Sequence, residues 1–385
     1  MRIVAAVYPI RVFDSGPGYA CQRILDAMGA SGIAITLYCV SADDCLMQTP
    51  FLRLTLPRWA ESIGYRLCSE KALATITEWR FTWALSGRDI AYMWPATDLR
   101  TFQKAKAAGC IVVAENINTH QMSSKRILDR EYQRLGMIPT HGISDQAAAI
   151  ESSKLDYVDF VYSPSPCVTS SLIDAGVPLE KIISTSYGLS SSDLLDPDID
   201  EKTGQEDGFV AVFVGRIGIR KGVHLLLDYW VKSGVKGTLR LVGDIEANAR
   251  HLIEPYLARS GIQHVSFRQD LKQVYRDANL FLFPSLEEGS PLVTYLSLGA
   301  GLPSLVSPMG GGGIIRKGID GMVIDPHDEE GWISAIRSLA GDPDLRATLG
   351  ANARAHAEDY LWEKVGRQRL DELMKRIEKH SGTKP

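Results

Sequence analysis

The sequence predicts an α/β protein built from two doubly wound, Rossmann-like domains that face each other across a cleft. Three observations support this fold class. Short apolar runs alternate with longer amphipathic stretches, which is typical of parallel strands joined by crossover helices. The alternation stops in a polar segment near the middle of the chain and then restarts. Finally, 385 residues with 45% hydrophobic content exceed what one core of ordinary size needs.

The first domain is predicted to span residues 1–186. Its strands are short apolar runs, in order RIVAAVY, AITLYCV, DIAYMWP, CIVVAEN, HGISD, FVYSPS and KIISTSYG. Helix-like segments such as ACQRILDAMGAS and DLRTFQKAKAAG separate them. The carboxyl ends of such parallel strands meet at one edge of a sheet, and ligands bind there.

The second domain is predicted to span residues 187–360. A segment rich in Ser, Asp and Gly, SYGLSSSDLLDPDIDEKTGQEDG, precedes its first strand and predicts a solvated connector. Its strands are GFVAVFVGR, GTLRLVGD, VSFRQ, LFLFPS, PSLVSP and GMVID, with helices that include GVHLLLDYWVKS and EEGWISAIRSLAGD. Residues 361–385 contain a last helix, LWEKVGRQRLDELMKRIEKH, which we expect to pack back on the first domain.

Composition excludes several classes of protein. A net charge of −4 without a long basic run argues against nucleic acid as a partner. Pro9 and Arg11 interrupt the first apolar run, and no run reaches the roughly 18 apolar residues of a membrane span, so a cytoplasmic protein is expected. No Cys-x-x-Cys pair occurs, and the run DPDID falls in the connector, so no metal site is predicted.

The segment FVGRIGIRKGVHLLL predicts a site for a diphosphate. Gly215 and Arg216 lie at the end of a strand, and Lys221 lies at the start of a helix. Two cations near the free N–H groups of a helix N-terminus bind phosphate groups well. The alternative interpretation is an ordinary solvated basic loop.

The segment EEGSPLVTYLSLGAG predicts a second helix N-terminus at the same cleft. Ser290 is a good N-cap and Pro291 suits the first helical position, so the amides of Leu292 and Val293 would point into the cleft. The carboxylate of Glu288 would then accept hydrogen bonds from sugar hydroxyls. The alternative is a carboxylate that merely stabilises the helix dipole.

Together these segments resemble the retaining glycosyltransferases of glycosyltransferase family 4, which have the GT-B fold. The resemblance covers nearly the whole chain and rests on the order and spacing of its motifs. These are a glycine loop with Gly16 and Gly18, the loop NTH, DYVDFVYSPSPCVTSSLIDAGVPLEKIISTSYGL, VGRIGIRKG, and FPSLEEGSPLVTYLSLGAGLP followed by GIDGMVIDP.

The resemblance implies a reaction and a set of residues. The expected reaction moves a sugar from a nucleoside diphosphate sugar, with UDP or GDP, to a glycan or lipid-linked acceptor, without a cofactor or metal and with retention. Bacterial surface polysaccharide assembly is the expected setting. Arg216 and Lys221 would meet the diphosphate, Glu288 the transferred sugar, and the first domain the acceptor. Donor-binding positions are Gly16, Gly18, Gly215, Gly289, Ser290, Leu292, Val293 and Leu296.

Leu296 departs from the family pattern, because it stands where a second Glu would accept hydrogen bonds from the ribose. Losing such an acceptor costs about 1.5 to 3 kcal/mol. Either Thr294 or Ser297 contacts the ribose, or the nucleotide sits differently, or donor use has decayed. A non-catalytic sugar- or nucleotide-binding partner and a sugar-nucleotide epimerase of the same fold therefore stay open. The run VSFRQD also lacks a Gly that is usual after the Phe, which leaves the base open.

His120, in AENINTHQ, matches a His that lies near the donor sugar in the family. A lone His is more often structural, although imidazole also titrates near neutrality. Glu115, Asn116 and Asn118 are candidates to line the same loop.

An aromatic and basic stretch covers residues 53–85, RLTLPRWAESIGYRLCSEKALATITEWRFTWAL. One interpretation of this stretch is contact with an anionic membrane that carries a lipid-linked acceptor, on the inner face of the plasma membrane. Packing of these aromatics in the core or between the domains is the alternative. The run PMGGGGIIRKG is either a shaped part of the donor pocket or a simple strand-to-helix loop.

Overall fold

Two parallel β-sheets form the protein, as the sequence predicts. The computed structural model describes residues 3–46, 49–195, 208–266 and 271–382. The first sheet has the strand order β3-β2-β1-β4-β5-β6-β7. Its strands are β1 (Ile3–Tyr8), β2 (Ala34–Cys39), β3 (Leu52–Leu54), β4 (Ile90–Met93), β5 (Ile111–Glu115), β6 (Phe160–Ser163) and β7 (Ile182–Ser184).

Helices cover both faces of this sheet, because each parallel connection must cross over it. They are α1 (Gly16–Ala30), α2 (Arg58–Leu67), α3 (Glu70–Ala84), α4 (Leu99–Ala107), α5 (Gln121–Arg134), α6 (Asp145–Leu155) and α7 (Pro166–Asp174). Burial of both faces explains why the central strand β4 is a continuous apolar run.

The second sheet has the order β10-β9-β8-β11-β12-β13. Its strands are β8 (Val210–Val214), β9 (Thr238–Val242), β10 (Ile262–Val265), β11 (Leu280–Phe283), β12 (Ser304–Val306) and β13 (Gly321–Val323). Its helices are α8 (Val223–Ser233), α9 (Arg250–Leu257), α10 (Leu271–Arg276), α11 (Leu292–Gly299), α12 (Pro308–Gly311), α13 (Glu329–Gly341) and α14 (Pro343–Ala357). Every residue of β8 and β11 is buried. In both sheets the first strand lies inside, so the chain reverses its direction of winding beside it and leaves a crevice for a ligand.

Two local predictions for the first domain need correction. The run HGISD is not a strand: the Ser144 hydroxyl accepts a hydrogen bond from the Ala147 amide and caps α6. Strand β3 overlaps the start of the aromatic and basic stretch and was not predicted, because three residues are too few for a strand pattern. In the second domain, β10 ends at Val265, and residues 267–270 of the run VSFRQD lie outside the described residues.

The connector between the domains is not simply solvated. Its first part is buried at Tyr187, Leu189 and Leu195. Leu189 forms a β-bridge with Leu361, and the Leu195 amide donates to the Gly299 carbonyl at the end of α11 (2.9 Å). The apolar residues of this otherwise polar segment thus hold the first part of the connector against Leu361 and against the end of α11. Residues 196–207, which include DPDID, lie outside the described residues.

The last helix, α15 (Trp362–Gly382), packs against α1 of the first domain, as expected. Arg369 anchors it in a buried group of residues that we call the linker cluster: Arg369, Glu115, Tyr92, Tyr187 and Ser186. The guanidinium donates to Glu115 (2.9 Å) and to the Ser186 carbonyl (2.8 Å). Tyr92 and Tyr187 donate their hydroxyls to the same carboxylate. Glu115 therefore belongs to this cluster and does not line the loop of His120. The domain limits at 186 and 360 stay predictions.

Candidate functional site

A cavity of about 910 Å³ lies at the carboxyl ends of β8 and β11 and reaches the start of α1. We call it the main cavity. Most of the predicted site residues line it: Gly16, Gly215, Arg216, Lys221, Glu288, Ser290, Leu292, Val293 and Leu296. Gly18, Gly289 and His120 do not. The two segments singled out in the sequence therefore meet on one wall, although they are about 70 residues apart.

Cations and carboxylates alternate on that wall. Lys221 pairs with Glu288, and Arg220 lies 3.7 Å from the same carboxylate. Burial and the neighbouring Arg220 lower the pKa of Lys221 to about 7, against the opposing effect of Glu287. Arg216 follows Gly215 at the end of β8 and also faces the cavity. An arriving anion would stabilise the charged form of Lys221, so this wall is suited to phosphate groups.

Glu287 and Arg220 are site residues that sequence reasoning missed. Glu287 accepts hydrogen bonds from Arg220 (2.7 Å) and from the hydroxyls of Thr119 (2.9 Å) and Ser124 (3.0 Å). The last two belong to the first domain, so one buried carboxylate joins both domains directly beside the cavity. The sequence could have indicated both residues, because each directly precedes a predicted site residue: Glu287 precedes Glu288, and Arg220 precedes Lys221.

The predicted glycines have different roles. Gly289 lies so close to the first domain that a Cβ there would overlap the Ile117 carbonyl oxygen, so it permits contact between the domains. Gly16 opens α1 with a positive φ of 66° beside the cavity. Gly18 lies two residues later and packs against Val12 and the loop before the helix. Gly215 ends β8, where its amide donates to the Val242 carbonyl.

The N-terminus of α11 differs in detail from its prediction. Pro291 is the N-cap and Leu292 the first helical residue, one position later than expected. Ser290 does not cap the helix, because its hydroxyl bonds to the Tyr295 hydroxyl (2.7 Å). Tyr295 in turn accepts a hydrogen bond from the Tyr187 amide (3.0 Å), which ties α11 to the connector. Leu292 and Val293 still line the main cavity.

Leu296 lies one turn further along α11 and also lines the cavity. The two neighbours considered as substitutes for its missing carboxylate point elsewhere. Thr294 donates to the Gly310 carbonyl (2.8 Å), and Ser297 donates to the Thr294 carbonyl (2.9 Å). Both are fully buried and neither lines the cavity. The Gly-rich run therefore supports α11 from behind at Gly310.

His120 lies in the first domain, away from the main cavity. Its Nδ1 accepts from the Met122 amide (3.2 Å) and caps α5, while its Nε2 lies 3.1 Å from the Ser152 hydroxyl. Burial lowers its pKa. Glu151 is 3.7 Å from Nε2, and burial raises the pKa of this carboxyl to about 7. A catalytic role for His120 stays a prediction.

A second cavity of about 790 Å³ adjoins the first, and we call it the side cavity. Arg216, Arg220, Ile117 and Asn118 line both. Its other polar lining residues come from both domains and include carboxamides, carboxylates and hydroxyls: Asn116, Gln121, Tyr132, Thr140, Glu151, Glu246, Asn248 and Glu287. Such groups suit a ligand with many hydroxyls.

Comparison with known proteins agrees with this geometry. Residues 208–342 match the family Glycosyl transferases group 1. A D-inositol 3-phosphate glycosyltransferase from Rhodococcus jostii (strain RHA1) is 37% identical over 169 residues, which are 40% of this chain and 37% of that protein. The chain thus aligns with well under half of this curated relative's length.

Solved structures resemble the whole chain at low identity. HepE from Anabaena, in complex with UDP and glucose, has a TM-score of 0.68 at 16% identity, over 97% of this chain and 100% of that one. WaaG, a glycosyltransferase involved in lipopolysaccharide biosynthesis, has a TM-score of 0.67 at 16% identity, over 96% and 99%. These likenesses show the fold.

Two sheets, a cleft between them and a cationic wall at the second sheet define a protein of the GT-B fold, so the predicted fold is confirmed. Residues 208–342 match the glycosyltransferase group 1 family, and Arg216 and Glu288 lie within the matched range. This match agrees with the resemblance that the motifs around Arg216 and Glu288 carried.

Proposed function

We propose that this protein transfers a sugar from a nucleoside diphosphate sugar to a hydroxyl-rich acceptor, with retention at the anomeric carbon. One observation carries the proposal: Arg216, Lys221 and Glu288 converge on one wall of the main cavity, beside the start of α11. A diphosphate at Arg216 and Lys221 places the attached sugar within reach of a carboxylate. UDP is the first nucleotide to test and GDP the second, because the fold neighbour HepE holds UDP and glucose.

In the proposed mechanism the cations stabilise the leaving group. As the bond to the anomeric carbon breaks, negative charge grows on the diphosphate, and Arg216 and Lys221, which line the cavity, would stabilise that charge. The leaving phosphate accepts the proton of the attacking hydroxyl, so the protein need not supply a base. Glu288 exchanges part of its pairing with Lys221 for hydrogen bonds from the sugar hydroxyls.

The acceptor is proposed to bind in the side cavity. Its opening meets the main cavity at Asn118, Arg216 and Arg220, so an acceptor hydroxyl there approaches the donor sugar. Carboxamides and carboxylates line it, which favours a glycan or another polyol. WaaG, a fold neighbour, is involved in lipopolysaccharide biosynthesis, which supports the proposal that the acceptor belongs to a surface polysaccharide.

The test is sugar transfer by the full chain with UDP- and GDP-sugars. We expect free nucleoside diphosphate to be released only when an acceptor is present, and the product to keep the anomeric configuration of the donor. The double variant Arg216→Ala/Lys221→Ala should lose about 10³-fold or more in kcat/KM. The matched control is Lys232→Ala/Arg250→Ala, which removes a Lys and an Arg from exposed pairs of the same domain. Equal activity of the two double variants would refute the assignment.

Product analysis separates the rival functions. Nucleotide binding without turnover would favour a non-catalytic partner, and conversion of the donor sugar without release of diphosphate would favour an epimerase. Leu296 motivates the first rival, because it replaces an expected carboxylate. The presence of Arg216, Lys221 and Glu288 around one cavity supports sugar transfer instead.

We further propose that α2 and α3 contact a membrane surface. Their exposed apolar residues are Trp59, Ile63 and Leu67 at every fourth position of α2, and Ile76, Trp79 and Trp83 on α3. Helix α2 buries none of its residues, so the alternative of core packing does not explain its stripe. Exposed cations lie beside it at Arg53, Arg58, Arg66 and Lys71. No helix among the described residues is long and apolar enough to span a bilayer.

Sedimentation with vesicles tests this contact. We expect the protein to bind vesicles that contain phosphatidylglycerol and to bind pure phosphatidylcholine less well. The variant Trp59→Ser/Trp79→Ser/Trp83→Ser should lose this binding. Ile138→Ser/Leu179→Ser is the control, because both residues are exposed but lie elsewhere. If the triple variant still binds vesicles, the exposed residues of α2 and α3 are not the membrane contact.

A further inference from the structure

The main cavity has a charged end and an apolar end. Arg216, Lys221 and Glu288 form the charged end, where the proposed function places the diphosphate. Along α11 the wall becomes apolar at Leu292, Leu296 and Ala300. A ribose is bonded directly to the diphosphate, so its two hydroxyls must lie between these ends. Hydroxyl groups taken out of water need hydrogen-bond partners, and Leu296 offers none.

Among the described residues, three carboxylates line the main cavity: Asp14, Asp193 and Glu288. Glu288 pairs with Lys221, and Asp14 is an exposed residue on the first domain. Asp193 belongs to the connector and lies against α11: a Cβ added to Gly299, three residues after Leu296, would be 3.0 Å from the Asp193 carbonyl oxygen. The Leu195 bond to Gly299 holds the connector in this position. Among the described carboxylates that line the cavity, Asp193 is the one whose backbone lies against the C-terminal end of α11.

One oxygen of the Asp193 carboxylate is held by the protein, and the other is available to accept a hydrogen bond from a ligand. Its Oδ2 accepts a hydrogen bond from the Ser190 amide (2.8 Å), which fixes the rotamer. Its Oδ1 accepts no hydrogen bond within the part of the chain that the structure describes. Burial raises the pKa of this carboxyl, while the Ser190 bond, Arg23 and Lys272 act to lower it. A carboxylate that has lost water in this way gains from hydroxyl donors.

We propose that Asp193 binds the ribose hydroxyls of the nucleotide, in place of the carboxylate that Leu296 lacks. The inference deepens the proposed function and rests on it. The ribose acceptor would then come from the connector instead of from α11. The sequence signal is Ser190-Ser-Ser-Asp193, a pattern that ends in a fixed carboxylate within a run that otherwise reads as polar linker.

Calorimetric titration with UDP, GDP and ADP and their 2′,3′-dideoxy counterparts tests the proposal. For the nucleotide that binds, we expect the natural protein to prefer the ribose form about 10- to 100-fold, which is the loss typical of one hydrogen bond to a charged group. Asp193→Ala should bring this ratio close to one, mainly by weakening the ribose form. Asp193→Asn should keep part of it, because the amide oxygen still accepts a hydrogen bond.

The ratio is an internal control, since a variant with damaged folding would weaken both forms alike. Glu363→Gln is the matched control: it removes the other carboxylate near Arg23 (3.8 Å) without changing the cavity, and it should leave the ratio unchanged. A natural protein without preference, or an undiminished ratio in Asp193→Ala, would overturn this inference while the proposed function stands. If no nucleotide binds, the proposed function fails and this inference fails with it.

Discussion

Two cations in this protein, one fully buried and one partly buried, have opposite environments. Arg369, in the linker cluster, is fully buried, and burial acts to lower its pKa, yet Glu115 and two tyrosine hydroxyls raise that pKa above its ordinary value. Lys221, at the main cavity, has its pKa lowered to about 7 by burial and by Arg220. The charged form of Arg369 is therefore stabilised by its surroundings, whereas the charged form of Lys221 is destabilised.

The difference separates a structural charge from a binding charge. The Arg369 guanidinium meets a carboxylate, a carbonyl and two aromatic rings, at 5.0 and 5.2 Å from the centroids of Tyr162 and Tyr187. Lys221 shares its wall with Arg216 and Arg220 and opens to a cavity. Glu288 pairs with Lys221, but Arg220 and Arg216 add positive charge beside it and lower its pKa, so a diphosphate would supply further counter-charge.

The largest expected effect is on the linker cluster. Arg369→Met leaves Glu115 buried without its cation, so we expect a loss of about 3 to 5 kcal/mol in the free energy of unfolding. Denaturant titration of the full chain measures it. Arg376→Met is the matched control on the same helix, because its pair with Glu372 is partly exposed and should contribute less than about 1 kcal/mol. Equal losses in both variants would contradict the structural role of Arg369.

The next effect is on Lys221, where activity and stability should separate. Lys221→Met is expected to lower kcat/KM for sugar transfer about 10²- to 10³-fold, because a fixed cation at the leaving diphosphate is lost. Adding Glu288→Gln removes the unpaired carboxylate, so the double variant should unfold no more easily than the natural protein. Lys232→Met, on the exposed side of α8, is the control for activity. A double variant that loses as much stability as Arg369→Met would make Lys221 structural as well.

The sequence predicted the charged wall well and the domain contacts poorly. Arg216, Lys221 and Glu288 lie in short segments where a strand end meets a helix start, and such geometry follows from local pattern. The roles of Glu287, Arg369 and Asp193 depend on partners 163 to 254 residues away or on a cavity shared by both domains. No local spacing encodes such partners. Leu296 was recognised as a departure, yet its proposed compensation lies in a segment that composition marks as linker.

A smaller effect is expected where Glu287 joins the domains. Glu287→Gln keeps the shape but weakens three hydrogen bonds, those from Arg220, Thr119 and Ser124. The contact between the domains seen in this structure should weaken by about 1.5 to 3 kcal/mol, since these bonds are charge-assisted. We expect a raised KM for the donor and a larger radius of gyration in small-angle scattering. Glu329→Gln, in an exposed pair with Lys232, should change neither. An unchanged radius and KM would mean that Glu287 serves only its own loop.

The smallest effect is the pH dependence of donor binding, which tests the comparison directly. Lys221 has a pKa of about 7 in the free protein, and a bound diphosphate raises it towards its ordinary value. Above about pH 7 the complex therefore holds more protons than the free protein, so affinity falls as pH rises, by at most about tenfold per unit.

UDP-glucose is the probe, because both its phosphates are esterified and hold no proton near neutrality. Calorimetry from about pH 7.5 to pH 9, in buffers of different ionisation enthalpy, should show proton uptake. Lys221→Arg should bind without this slope, since a guanidinium stays charged. If the natural protein shows no slope either, Lys221 is charged before the donor arrives, and Glu288 stabilises it as Glu115 stabilises Arg369.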